Sequence, residues 1–193
     1  MRTVKPEARL LGVDDAPFDF EDETTELVGT VFRGGAYLEG VLMEEVTVDG
    51  LDASDTIVAM IQESRHDQQV QAVLLDGITV AGFNVVDLQQ VADDTGIGVI
   101  AVSRNEPGEA AMDGGLENVD RRADREELID AAGTAKEHGT GDGTVYFQHA
   151  GIDEETVRNV LDVATVRGVV PEPVRVAHMI AGAVATGAST GRA

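Results

Sequence analysis

The chain has 193 residues, 42% of them apolar, which suits one domain with a sizeable core and excludes a disordered polymer. It contains no cysteine, so disulfides, thiolate metal sites and cysteine nucleophiles are excluded as well. Asp and Glu number 36 against 14 Lys and Arg, a net charge of −22, and only Lys5 and Lys136 among those cations are lysines; this is the composition expected of a protein adapted to concentrated salt, the rival reading being a chain that repels nucleic acid or binds basic partners, so the charge is not taken as evidence about a ligand.

Residues 9–13 (RLLGV) form a short apolar run stopped by Asp14-Asp15 and Pro17, the pattern of a buried strand ending in a turn. Residues 27–33 and 37–48 are two β-rich stretches around Gly34-Gly35, which predicts a hairpin. After a turn at 49–52, Ala53-Ser54 can cap a helix over 55–65 with Ile57, Val58, Met60 and Ile61 on its apolar side. A buried strand over 70–75 ends at Asp76-Gly77. Residues 84–93 read as a helix and 97–102 as a further short strand. From 104 to 143 the chain is polar, Gly-rich and charged, an insert with a helix over 126–137. A late strand follows at 144–148, then a helix over 154–166 capped by Asp153. Pro171 and Pro173 interrupt the chain before a small-residue helix over 174–185.

An early hairpin followed by alternating helices and strands predicts a mixed α/β sheet with helices on both faces, in the order of the RNase H-like fold, as a single domain over 1–193. No run approaches the ~18 apolar residues of a membrane-spanning helix. The first residues lack the apolar core and cleavage site of a signal peptide, so the expected location is the cytoplasm.

In so acidic a chain a carboxylate means little without its context. Asp14 and Asp76 have one: each ends an apolar run, and ligands of open α/β sheets gather at the carboxyl ends of such strands. Two buried anions there need a counter-charge, and all-oxygen ligation suits Mg²⁺ or Mn²⁺. The alternative is that each Asp caps the turn after its strand. A third acid, Asp52 or Asp49, lies in the turn before the first helix, where either can also serve as a cap or turn residue; Asp49-Gly50 has the look of a turn pair, which favours Asp52. Gly77 and Gly82 allow close approach of a ligand beside Phe83 and Asn84, unless this is only a strand-to-helix loop with Asn84 as the helix cap. Tyr37 and Arg33 flank the hairpin tip, where an aromatic beside a cation stacks on a base or simply packs on its own hairpin. The four histidines show no zinc spacing, and His178 on an apolar helix reads as a core residue rather than a ligand.

The runs LLGVDDAPF, VFRGGAYLEGV, VDGLDASD, VLLDGITVAGFNVVDL and PEPVRVAHMIAGA resemble the archaeal endonuclease dU family, itself similar to endonuclease V. The resemblance extends from about residue 9 to the C-terminus and is weakest over 104–143. Together with the acidic composition it points to a halophilic archaeon. It implies an RNase H-like fold and metal-dependent cleavage of DNA at deaminated bases, deoxyuridine in particular. In endonuclease V the metal is held by an Asp on the first strand, a Glu after the hairpin and an Asp of an Asp-Gly pair. Asp14 and Asp76 match the first and third; no Glu matches the second, and Asp52 is the nearest acid. The hairpin segment of endonuclease V that wedges into DNA is replaced here by FRGGAY, so its base preference does not carry over. The implied base pocket lies near Gly77, Gly82, Phe83, Asn84 and Tyr37. A chain of charge −22 would then meet DNA through a local group formed by Arg33, Arg65, Arg104, Arg121, Arg122 and Arg125. The competing reading is a non-catalytic nucleic-acid- or protein-binding module on the same fold, told apart by whether Asp14, Asp52 and Asp76 converge.

Overall fold

The computed structural model describes residues 4–19, 21–106, 116 and 119–189. In chain order these form β1 (Arg9–Asp15), the hairpin β2 (Thr24–Arg33) and β3 (Tyr37–Thr47), α1 (Ala53–Gln62), β4 (Val70–Asp76), the small ribbon β5 (Thr79–Val80) and β6 (Asn84–Val85), α2 (Leu88–Thr95), β7 (Gly98–Ser103), α3 (Arg122–Ala132), the hairpin β8 (Lys136–Thr140) and β9 (Gly143–Ala150), α4 (Glu154–Ala164) and α5 (Glu172–Thr186). Seven strands make one mixed sheet in the order β3-β2-β1-β4-β7-β9-β8. β1, β4 and β7 run parallel, and the flanking pairs are antiparallel.

The three parallel strands are near-continuous apolar runs because both of their faces are covered. Leu11, Val13, Val73, Leu75 and Val99 point to one face, where Ile57, Met60 and Ile61 of α1 and Val91 of α2 pack. Leu10, Ala72, Leu74, Ile100 and Val102 point to the other, against Val157, Val160 and Leu161 of α4 and Val174 of α5. Two-residue periodicity therefore assigns each strand residue to a layer before any loop is considered.

The first helix spans Ala53–Gln62 with Asp52, rather than Ala53-Ser54, at its cap position, and three further elements differ from the sequence expectation. The helix expected over 84–93 starts at Leu88: Asn84 and Val85 pair with β5, and Asp87 caps α2 by accepting from the Gln89 and Gln90 amides. The helix expected over 126–137 starts earlier and stops at Gly133, whose φ of 73° is unfavourable for other residues. The residues after it form β8, which has no apolar alternation and is a strand only because β9 pairs with it. Part of the expected insert, residues 107–115 and 117–118, lies outside the described residues.

Register also fixes which end of the sheet holds which loop. Arg9 pairs with Arg33 and Asp14 with Val28, so the β2–β3 turn lies beyond the start of β1, five residues or about 17 Å along the strand from Asp14. The β3–α1 loop lies at the opposite end, with Asp14.

Candidate metal centre

β1 and β4 run side by side with Val13 abreast of Leu75, so the next residues, Asp14 and Asp76, emerge together at the carboxyl ends. Alternation places both on the face that α5 covers. That helix comes in close because β1 has Gly12 beneath it: a Cβ there would stand 2.2 Å from the Pro173 carbonyl carbon. The Thr30 hydroxyl donates to the Pro173 carbonyl at 2.6 Å and pins the start of the helix to β2. Val174, Ala177 and Ala181 are buried along α5, and His178, with 46% of its side chain exposed, comes to the rim. Its Nδ1 stands 2.7 Å from Asp14 Oδ2. One ligand atom from each of Asp14, Asp76 and His178 lies within 4.8 Å of the others, and among the described residues this is the group of three or more such side chains that can hold a metal ion.

Asp14 is 6% exposed. Burial, and then the charges of Asp76 and Asp15, push its carboxyl up to about 8, although the Asp15 amide donates to it. Burial also raises Asp76, with His178 and Arg104 pulling the other way, and it raises Asp15 against hydrogen bonds that include one from the Ala81 amide. Three neighbouring carboxyls disfavouring ionisation describe a site short of positive charge.

The remaining expected site residues fall elsewhere. Asp52 precedes α1 at this end of the sheet, but its carboxylate is taken: Thr47 Oγ1 donates to Oδ2 at 2.7 Å and Asn84 Nδ2 donates to Oδ1 at 2.6 Å. Burial opposes its ionisation, yet these bonds prevail and hold it below the usual carboxylate range. It is a tie between loops and is not part of the Asp14–Asp76–His178 group. Asn84 is fully buried, accepting from the Ala53 amide and donating to Thr47 and Asp52, so it neither caps α2 nor faces a ligand. Asp49 accepts from the Phe83 amide, and a Cβ on Gly82 would stand 2.3 Å from the Asp49 carboxylate; Gly82 thus closes a loop onto Asp49 rather than opening room for a base. The Phe83 carbonyl accepts from Arg125. Tyr37 and Arg33 sit at the far end of the sheet, where Arg33 pairs with Glu39 and lies over the Tyr37 ring, so neither reaches the carboxylates. Gly77 alone of the expected pocket lines a recess.

The expected arginine group does not gather either. Arg125 is buried, its guanidinium donating to the carbonyls of Asp49, Gly50, Phe83 and Asp120, where it rivets α3 to the site loops. Arg121 pairs with Asp124, and Arg122 with Glu126. Arg104, just past β7 and exposed, is the member whose charge is felt at Asp76. His178 was missed because an apolar helix face suggests a core position. The signal was available in the run of Pro173, Val174, Ala177 and Ala181, which marks the buried face and leaves residue 178 at its edge.

Residues 6–185 match a family model described as Endonuclease dU. A UPF0215 protein of Methanopyrus kandleri is 43% identical over 192 residues, covering 98% of each chain. A protein of unknown function from Archaeoglobus fulgidus, solved by crystallography, has a TM-score of 0.82 at 36% identity over 92% of this chain and 98% of its own. Endonuclease V of Ciona intestinalis, solved with a 24mer DNA containing an inosine followed by a ribo-adenosine, has a TM-score of 0.58 at 11% identity, covering 88% of this chain and 82% of its own. That last likeness is one of fold, and it is the RNase H-like arrangement expected from the order of elements. With a family match across nearly its whole length and an archaeal relative of the same extent, the chain belongs to the Endonuclease dU family.

Proposed function

We propose that this chain is a divalent-metal-dependent endonuclease that hydrolyses one phosphodiester bond of DNA at a deaminated base, deoxyuridine foremost, and that it acts in the cytoplasm. The observation that carries this reading is the meeting of Asp14, Asp76 and His178 at the carboxyl ends of two adjacent parallel strands. The donor set fits a divalent cation: two carboxylates and one imidazole, with the Asp14 carboxyl raised by burial and by the charges of Asp76 and Asp15. Asp14, Asp76 and His178 would hold Mg²⁺ or Mn²⁺, which when bound polarises a phosphate oxygen and lowers the pKa of an attacking water. His178 fixes the orientation of the Asp14 carboxylate through the 2.7 Å contact at Nδ1. Arg104, exposed beside Asp76, is placed to meet the phosphate backbone. Uracil mispaired with guanine costs little to extrude from the duplex, which makes it a favoured substrate.

The test is nicking of a uracil-containing duplex with Mg²⁺ or Mn²⁺ in concentrated KCl. Asp14→Ala and Asp76→Ala are expected to abolish cleavage while remaining folded, and His178→Ala, which removes the third of these groups, to reduce it by at least about 10²-fold, more than the loss of a supporting partner costs. Absence of cleavage by the wild type on uracil, hypoxanthine and RNA substrates would replace the nuclease with a binding module.

A further inference from the structure

A recess of about 190 Å³ opens on the face of the sheet opposite the carboxylates, around the end of β4 from them. Its walls are Gly77, Ile78 and Thr79 after β4, Ser103 at the end of β7, and Tyr146 and Gln148 of β9. Gly77 directly follows Asp76, so the recess and the metal centre share one turn of chain. The register pairs Ser103 with Tyr146 and Ala101 with Gln148, which places the side chains of Tyr146 and Gln148 in the recess while Phe147 between them packs into the opposite core. β8 and β9, whose strand character the sequence only half revealed, thus supply one wall of this recess.

The polar groups inside are spare. Among the described residues neither the Thr79 nor the Tyr146 hydroxyl has a hydrogen-bond partner in the protein. Gln148 spends one amide N–H on the Gly133 carbonyl at 2.5 Å, which leaves its second N–H and its carbonyl oxygen. That single bond also fixes which side of the amide is nitrogen and which is oxygen. An amide of fixed orientation offers donor and acceptor in a fixed order.

We propose that this recess receives the extruded base and that Gln148 reads its edge. The inference rests on the nuclease reading above and adds to it the site of base selection. Deamination turns the acceptor-nitrogen and amino-group edge of cytosine or adenine into a lactam, an N–H beside a carbonyl. A tethered amide matches the lactam, and the undeaminated edge presents donor and acceptor in the reverse order, so that polar groups covered by the base are left unpaired. Uracil and hypoxanthine share the lactam edge. Thymine and guanine also carry one, and they are held out by the cost of breaking their normal pairs. Tyr146 and Thr79 supply hydroxyls that donate to the lactam carbonyl oxygen, an acceptor that cytosine and adenine lack at that position.

The experiment measures binding of single strands carrying one central uracil, hypoxanthine, cytosine or adenine, flanked by adenine and cytosine alone so that no other base bears a lactam, by fluorescence anisotropy with Ca²⁺ in place of Mg²⁺, alongside nicking in Mg²⁺ of the uracil-containing duplex. Wild type is expected to favour uracil and hypoxanthine over cytosine and adenine by about 5- to 150-fold, the span of one bidentate base contact. Gln148→Leu should erase that preference. Tyr146→Phe, which removes one oxygen and no packing, should weaken it several-fold and decides the matter if Gln148→Leu does not fold. A wild type without preference, or a preference unchanged in both variants, overturns the assignment. A preference that depends on Gln148 in a protein that never nicks would overturn hydrolysis and leave the recess as a base-binding site.

Discussion

Asp14 concentrates the chemistry of the site in one carboxyl. Its pKa in the folded chain, about 8, lies above the ordinary 3.8, so the folded state holds a proton that the unfolded chain releases first. The sign follows: the stability contributed by that proton is complete below about pH 4 and is lost as pH rises toward about 8. Asp15 and Asp76 are raised too and act in the same direction. The metal-free protein should therefore show a falling thermal midpoint between pH 4 and 8, and Mg²⁺ or Mn²⁺ should restore most of the loss at the upper end. Melting curves in EDTA and in each metal check this; a flat profile in EDTA would mean that the carboxyls are not starved of charge. Asp52 illustrates the opposite outcome. Its place near the site was legible in sequence, but the Thr47 and Asn84 bonds that occupy it come from residues five before and 32 after.

Among the elements, α5 and β1 decide whether the centre exists. Gly12 lets the first turn of α5 touch the strand, and that contact sets where His178 arrives. Gly12→Ala has no room for its methyl against Pro173 and should cost about 1–3 kcal/mol, as overpacked cores do. It should also lower metal affinity by moving His178 off Asp14. Denaturant unfolding and calorimetric metal titration separate the two effects, and a variant of wild-type stability would refute the close-packing argument. The apolar strands β1, β4 and β7 were readable because burial on both faces demands uninterrupted apolar residues. The start of α2 was not, because Asn84 and Val85 follow the ribbon pairing and the actual cap is Asp87.

Over the whole molecule, the charge of −22 is spread over a surface where few cations answer it. Self-repulsion should destabilise the fold at low ionic strength and be screened in concentrated KCl. The thermal midpoint should rise steadily from 0.1 M to 2 M KCl, and a salt-independent midpoint would remove the reading of adaptation to salt. Such screening also weakens any general attraction for DNA. On the proposed reading, recognition of DNA would then fall to short-range groups, the metal centre and Gln148, rather than to a basic surface. The arginines follow this logic: Arg121 and Arg122 balance local acids, Arg125 ties loops together inside, and Arg104 is left beside the site.

The sequence by itself determined the layer order, the parallel pair β1 and β4, and the two aspartates that end them. These follow from local periodicity and from where an apolar run meets an acid, both readable along one stretch of chain. Only the tertiary structure decided the third partner. Whether His178 or Asp52 joins Asp14 and Asp76 depends on how closely a helix 160 residues away packs on Gly12, and on which loops claim a carboxylate first. It likewise decided that Tyr37 and Arg33 lie at the far end of the sheet, because strand register, and not proximity in sequence, sets which loops share an end.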